Sequence, residues 1–408
     1  MVDPEGTREE IPLEEALGRH RDRFLETFGD RPGGAGPAKT LRTFFSPGRV
    51  NLMGAHLDYN GGPVMPMAID RGTFLCVRGR DDRRVRMASS LEEGALETSL
   101  DELPSVAAGT WFDYPLGTLR RLLARAPTPS SLRGFDVLFG GNLAIGAGLS
   151  SSASICVGTA FALDALWGLG GTSRDHVDAA LWGEREFVGV RCGIMDPYAV
   201  AYARPDHLLW LDCKDESTEL VPLEAGLAVA VADSGIRRDL AQGAFNERVS
   251  ECAEAFEGLR PFWSGATCLR DVPAKIVEDH GHVLGEAAAK RARHVSSEYQ
   301  RTLAARAALQ AGDPVTFGAQ ISASHASLRD LFEVSVPELD CLVEAALSWD
   351  GVLGSRLTGA GFGGCTVVLL RAEACPGFAE HVETIYGERF GRSPQVAFFR
   401  GDPGPREL

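Results

Sequence analysis

Apolar residues along the chain fall into two rhythms, and each predicts a different element. Helical spacing marks Leu13 to Phe28, Ile155 to Leu166, Arg174 to Val188, Asn246 to Leu259, Ser296 to Gln310 and Pro337 to Leu347. Short apolar runs rich in β-branched and aromatic residues predict strands at Leu41 to Phe45, Thr73 to Arg78, Arg84 to Ala88 and Phe135 to Phe139. Further strands are predicted at Leu208 to Asp212, Leu227 to Ala232, Gly354 to Leu357 and Cys365 to Leu370. The breaker-rich run Gly29 to Pro37 predicts a mobile loop. Strands and helices alternate without an internal repeat, and 408 residues are about two to three single-domain cores. The expected organisation is a peripheral extension, 1–40, followed by two domains, 41–215 and 216–408.

Composition narrows the class. Hydrophobic residues make up 44% and charged residues 24%, which excludes a largely disordered chain. No run approaches the ~18 apolar residues of a membrane span, and the acidic N-terminus carries no apolar leader core. A net charge of −15 argues against nucleic acid and anionic membranes as partners. Nine scattered cysteines, odd in number and without CxxC, argue against a disulfide framework or structural zinc and for a reducing, cytoplasmic setting.

The strongest local signal is Gly146-Ala147-Gly148-Leu149-Ser150-Ser151-Ser152-Ala153, between a predicted strand and a predicted helix. Glycines let a backbone approach a ligand closely, and a helix N-terminus offers free N–H groups and partial positive charge to a phosphate. Serine hydroxyls add donors, or ligands for a hard cation such as Mg²⁺. The same residues also suit a plain Gly/Ser turn with a serine cap.

This segment resembles the ATP-binding motif of the GHMP kinases, and two more segments resemble the same family in the same order. Pro47-Gly48-Arg49-Val50-Asn51-Leu52-Met53-Gly54-Ala55-His56-Leu57-Asp58-Tyr59-Asn60-Gly61-Gly62 is similar to the galactokinase signature. Gly354 to Cys365, centred on Gly359-Ala360-Gly361-Phe362-Gly363-Gly364, is similar to the C-terminal glycine motif. The resemblance implies an α+β, two-domain GHMP kinase fold: a ribosomal protein S5-like N-terminal domain, a ferredoxin-like C-terminal domain, and an active site between them. It implies ATP and Mg²⁺ as cofactors, residues 146–153 holding the triphosphate, and Gly361 approaching phosphate or sugar from the second domain. Its Asp-containing segment matches Cys192-Gly193-Ile194-Met195-Asp196-Pro197. By that match Asp196 and Arg49 are the catalytic pair, Gly193 lies at the substrate, and Ser152 with Glu184 holds the metal. The family usually has Gln at the position of Pro197. Trp111-Phe112-Asp113-Tyr114 resembles the segment before an interdomain helix and reads as packing.

The acceptor is expected to be a galactose-type sugar phosphorylated at its anomeric hydroxyl. Galactokinases carry Gly-Glu-His-x-Asp-Tyr, where the Glu accepts a hydrogen bond from the C6 hydroxyl. Here that Glu is Ala55, while His56 and Asp58 remain, and Phe245 stands where galactokinases place a Tyr. Losing a charged acceptor weakens galactose binding by about 1.5–3 kcal/mol. A Glu about 4 Å from a C6 carboxylate would oppose it by ~4 kcal/mol at an effective dielectric of 20, roughly a thousandfold. The Ala therefore favours D-galacturonate, a reading joined by galacturonokinase-like stretches at 211–214, 234–238 and 246–252, with Arg237 or Arg238 as carboxylate partner. Galactose itself is the alternative acceptor. A non-catalytic sugar- and ATP-binding sensor is the other, opposed by the intact Ser152-Ala153 and Asp196. Oligomeric state, monomer or homodimer, is left open by the sequence.

Overall fold

The protein is described here from a computed structural model covering residues 13–29, 40–143, 148–236 and 241–408. The predicted loop Gly29 to Pro37 lies almost wholly outside these residues.

Strands β1 (Arg42–Asn51), β2 (Pro63–Val64), β3 (Pro66–Gly79), β4 (Arg84–Ser89), β5 (Ala95–Ser99) and β6 (Phe135–Gly141) occupy the first third of the chain. Later come β7 (His207–Asp212), β8 (Thr218–Pro222), β9 (Leu227–Asp233), β10 (Val352–Thr358), β11 (Cys365–Arg371), β12 (Gln395–Phe399) and β13 (Arg406–Glu407). The first sheet runs β13-β1-β3-β6-β4-β5, so the C-terminal strand returns to the edge beside β1. A second sheet, β10-β11-β9-β12, takes its four strands in the order second, third, first, fourth, the ferredoxin-like arrangement. A small sheet, β2-β7-β8, joins early and late segments, and the junction expected at 215/216 falls inside its β7–β8 hairpin.

Helices α1 (Leu13–Phe28), α2 (Asp113–Arg125), α3 (Ser151–Trp167), α4 (Ser173–Trp182) and α5 (Met195–Ala201) belong to the N-terminal half. The rest are α6 (Ala241–Leu259), α7 (Ala274–His280), α8 (Glu286–Gln310), α9 (Pro314–Ser327), α10 (Pro337–Leu347) and α11 (Phe378–Phe390). Alternation along β3 and β6 sends Leu75, Val77, Val137 and Phe139 to one face, packed with α2 and α3. Cys76 and Leu138 face the other way, against Phe24 of α1. Helix α1 is thus no peripheral extension: it closes the second face of the sheet with Phe24 and His20 buried. The second sheet likewise buries Ala230, Ala232, Val368 and Leu370 under α10 and α11. Its opposite face, Val229, Val231, Val367 and Leu369, shares one core with Val50, Leu52 and Met67 of the first half. The two halves therefore meet through apolar packing beside the glycine-containing turns at the ends of β1 and β10.

Candidate active site

The site begins with a distortion in β1. Its register against β3 slips between Pro47 and Gly48, and such a bulge re-aims the side chain that follows. Gly48 is needed there because a Cβ would meet Leu149 O at 2.8 Å. The next residue, Arg49, donates its backbone N–H to Leu149 O at 3.1 Å and its Nη1 to Gly148 O at 2.7 Å. Its Nε and Nη2 form a bidentate pair with Oδ1 and Oδ2 of Asp196, both at 2.8 Å. The Arg49 side chain is 6% exposed and that of Asp196 31%, so the carboxylate is the half of the pair that solvent or a ligand reaches.

Asp196 sits in the first turn of α5. Pro197 is the third residue of that helix, where the backbone N–H has no intrahelical partner, so the unusual proline is tolerated. Ser150, held in the left-handed region at φ 59°, donates its hydroxyl to Asp196 Oδ2. That hydroxyl therefore does not cap α3, whose N-terminal amides are left without a side-chain cap. Leu149 and Ala153 point into the core. Gly146 and Ala147 lie outside the described residues.

Glu184 is the first-turn acid of a widened helical turn, Gly183–Val188, that follows α4. Sequence spacing predicts one continuous helix there; instead Gly183 packs against α2, where a Cβ on Gly117 would meet its Cα at 2.8 Å. The Glu184 carboxyl is buried, bonds the Ser152 hydroxyl and leaves Oε2 without a protein partner. Burial foremost, opposed by the Ser152 hydroxyl and reinforced by Asp196, pushes its pKa up to about 7. An orphaned carboxylate oxygen beside a serine hydroxyl is a hard-oxygen donor set that fits Mg²⁺.

On the other side of Asp196 stands the 54–60 turn. Desolvation, then the negative charge of Asp196, raises Asp58 to about 6. Gly193 abuts Asp58 so closely that a Cβ would meet Oδ2 at 1.8 Å. Gly193→Ala is expected to push Asp58 aside and raise the KM for the acceptor about tenfold, with the KM for ATP unchanged. Separate saturation curves for sugar and ATP check this. His56, at φ 57°, places Nδ1 3.0 Å from the Tyr59 hydroxyl and leaves Nε2 buried without a partner. Burial and surrounding cations hold its pKa well below the ordinary value. Phe245 closes this wall, 5.5 Å from the Tyr59 ring and 6.0 Å from that of His56. Ala55 is buried among apolar neighbours. Arg237 and Arg238 lie outside the described residues.

From the second half, Gly359 comes close enough that its Cβ would lie 3.4 Å from Gly148 Cα, so the two glycine segments meet across the cleft. Gly361, at φ 83°, packs instead against Val334 O. Trp111 and Tyr114 do more than pack. With Leu91, Phe139 and Ile155 they line a cavity of about 260 Å³ that opens onto Ser151 and Ser152. A linear sequence gives little sign of this, since the lining comes from five separate segments.

Three stretches of the chain match models of known protein families. Residues 22–79 match the galactokinase galactose-binding signature, 113–204 the GHMP kinase N-terminal domain and 305–375 the GHMP kinase C-terminal domain. The chain belongs to the GHMP kinases, a family of phosphotransferases, and is a sugar kinase. It is 41% identical to a galactokinase of Roseiflexus over 95% of this chain and 96% of that protein. It is 39% identical to one of Enterococcus faecalis over 95% and 98%. Among solved structures it is similar to Lactococcus lactis galactokinase complexed with galactose, at TM-score 0.89 and 33% identity, covering 96% of this chain and 100% of that one. Within the family it therefore falls with the galactokinases. The Methanococcus jannaschii mevalonate kinase shares the fold, at TM-score 0.65 and 18% identity.

Proposed function

We propose that this enzyme transfers the γ-phosphoryl group of ATP to the anomeric hydroxyl of a galactose-type sugar, with galactose as the acceptor that its relatives support. The observation carrying the reading is the bidentate Arg49–Asp196 pair set beside the uncapped start of α3. Phosphoryl transfer depends chiefly on positioning and electrostatics. The amides of α3 receive the terminal phosphates, and the apolar cavity beside Trp111 takes the nucleoside base. Asp196 accepts the proton of the attacking hydroxyl, while Arg49 and the Ser150 hydroxyl fix its orientation. Asp58 and His56 hold the sugar ring against Tyr59 and Phe245. Ser152 and Glu184 hold Mg²⁺, which when bound neutralises phosphate charge. Among the described residues no helix is long and apolar enough to cross a membrane, and nine cysteines outside any disulfide suit a reducing cytoplasm.

A second reading, D-galacturonate as the acceptor, is favoured by Ala55. Position 55 is 5% exposed and carries no acceptor for a C6 hydroxyl and no charge to repel a C6 carboxylate. An ADP-release assay over hexoses and hexuronic acids tests both. Galactose turnover with kcat/KM at least tenfold above galacturonate excludes the second reading, and the reverse ratio selects it. Ala55→Glu is expected to raise galactose kcat/KM about tenfold and depress that of galacturonate. Unchanged selectivity would remove the C6 contact from the account.

A further inference from the structure

Helix α8 reaches from the second half of the chain to the turn that carries His56 and Asp58. Two of its residues, one helical turn apart and so on one face, grip three successive polar groups of that turn. Glu298 Oε1 accepts from the backbone N–H of Gly54 at 3.2 Å and of Ala55 at 3.1 Å. His294 Nε2 donates to Ala55 O at 3.1 Å, while its Nδ1 accepts from the Ser327 hydroxyl at 2.8 Å. Both side chains are fully buried. Ser324 donates to Glu298 Oε1 at 2.8 Å and Arg301 Nε to Oε2 at 2.8 Å, so the carboxylate is itself locked. Upstream, Arg356 Nη2 and Thr358 Oγ1 of β10 donate to Asn51 O at 2.6 and 3.2 Å.

The gripped turn needs holding. Gly54 has φ 83° and His56 has φ 57°, a region that a histidine occupies only when its surroundings impose it. Released, the His56 peptide would relax toward ordinary backbone and swing its ring away from Tyr59 and Phe332, the latter 4.5 Å away.

We propose that Glu298, assisted by His294, is a positioning residue for the acceptor site: it fixes the 54–56 backbone so that His56 stands against Tyr59 and Phe245 and Asp58 lies beside Asp196. The proposal rests on the reading that this turn holds the sugar. It makes acceptor affinity, but not nucleotide affinity, depend on a helix of the opposite half. Among the described residues the hydrogen bonds of the Glu298 carboxylate run to Gly54, Ala55, Ser324 and Arg301, and none to Asp196 or the serine turn, so a packing defect and a positioning defect differ in their consequences.

The test combines kinetics with hydrogen exchange on the full chain. Glu298→Gln keeps shape but weakens charge-assisted bonds to the two amides, and Glu298→Asp keeps charge but falls one methylene short. Each is expected to raise the sugar KM about tenfold with the ATP KM within twofold. Amide exchange should accelerate in the peptide spanning 51–60 and not in the peptides of α3 or α5. In a His56→Ala background the added effect of Glu298→Gln should shrink from about tenfold toward threefold, because one of the two positioned groups is gone. Unchanged sugar KM in both variants overturns the proposal, as does a parallel rise in sugar and ATP KM with exchange accelerated throughout. If no sugar in the panel is phosphorylated, the kinase reading fails, while the exchange at 51–60 still decides this one.

Discussion

Asp196→Asn is expected to lower kcat about a thousandfold while leaving the KM for ATP within about threefold, as steady-state kinetics on the preferred sugar would measure. The estimate follows from the loss of a positioned proton acceptor, worth about 10²–10⁴ in rate. Asn keeps the side chain's shape and one oxygen for Arg49, so the fold should tolerate it. Asp196→Ala is a different experiment, since it strands a guanidinium only 6% exposed. An unpaired buried donor is destabilising by about 1–3 kcal/mol, so an inactive Ala variant with a lowered Tm would not isolate chemistry. Arg49→Lys completes the set: a point charge cannot span both carboxylate oxygens, and kcat should fall with little change in ATP binding. An Asn variant retaining a tenth or more of the wild-type kcat would remove Asp196 from the reaction.

What the sequence disclosed depended on whether a signal was local. Helix α1 is legible because Leu17, Phe24 and Phe28 recur at helical spacing and find one face of the sheet. Helix α9, with Gly, Ser or Ala at half of its positions, has no comparable apolar period, and α2 is interrupted by Pro115 and Gly117. The two-residue β13 is set only by its pairing with β1, some 360 positions earlier, as the Arg42–Glu407 bond at |i−j| 365 shows. Candidate chemistry followed the same division. Glycine-rich and CGIMD segments are readable as motifs, and the structure brings Arg49, Asp196, Ser150, Ser152 and Glu184 into one cleft. The reassignment of the Ser150 hydroxyl to Asp196 is not readable, because it requires a left-handed residue at the helix entrance. Nor is the grip of Glu298 on Gly54 and Ala55, across 244 and 243 positions. Trp111 reads as packing in sequence because an aromatic beside a helix start usually is; only the assembled sheet shows the cavity it borders.

Glu184→Gln should separate stability from function in opposite directions. In the folded protein without metal, the Glu184 pKa stands at about 7 against an ordinary 4.5. A carboxyl raised on folding stabilises the native state most when protonated, below about pH 4.5, and that contribution is lost as pH rises toward 7. Ionised at pH 8, it burdens the metal-free fold by about 3 kcal/mol relative to the protonated form. Gln stays neutral at every pH and can still meet the Ser152 hydroxyl. The metal-free variant should therefore melt a few degrees above wild type at pH 8, with the difference vanishing below about pH 4.5. Added Mg²⁺ and nucleotide should reverse the order, because they reward the ionised carboxylate and the Gln cannot supply a charged ligand. On the same reasoning wild-type Mg²⁺ affinity should weaken as pH falls through 7, where protons compete for Oε2. Activity at saturating Mg–ATP should fall about a hundredfold or more in the variant. Melting curves across pH with and without Mg²⁺ give a readout apart from turnover. Equal Mg²⁺ stabilisation of both proteins would show that the orphaned oxygen serves no cation, and the burial of a carboxylate there would then be a stability defect without a function to offset it.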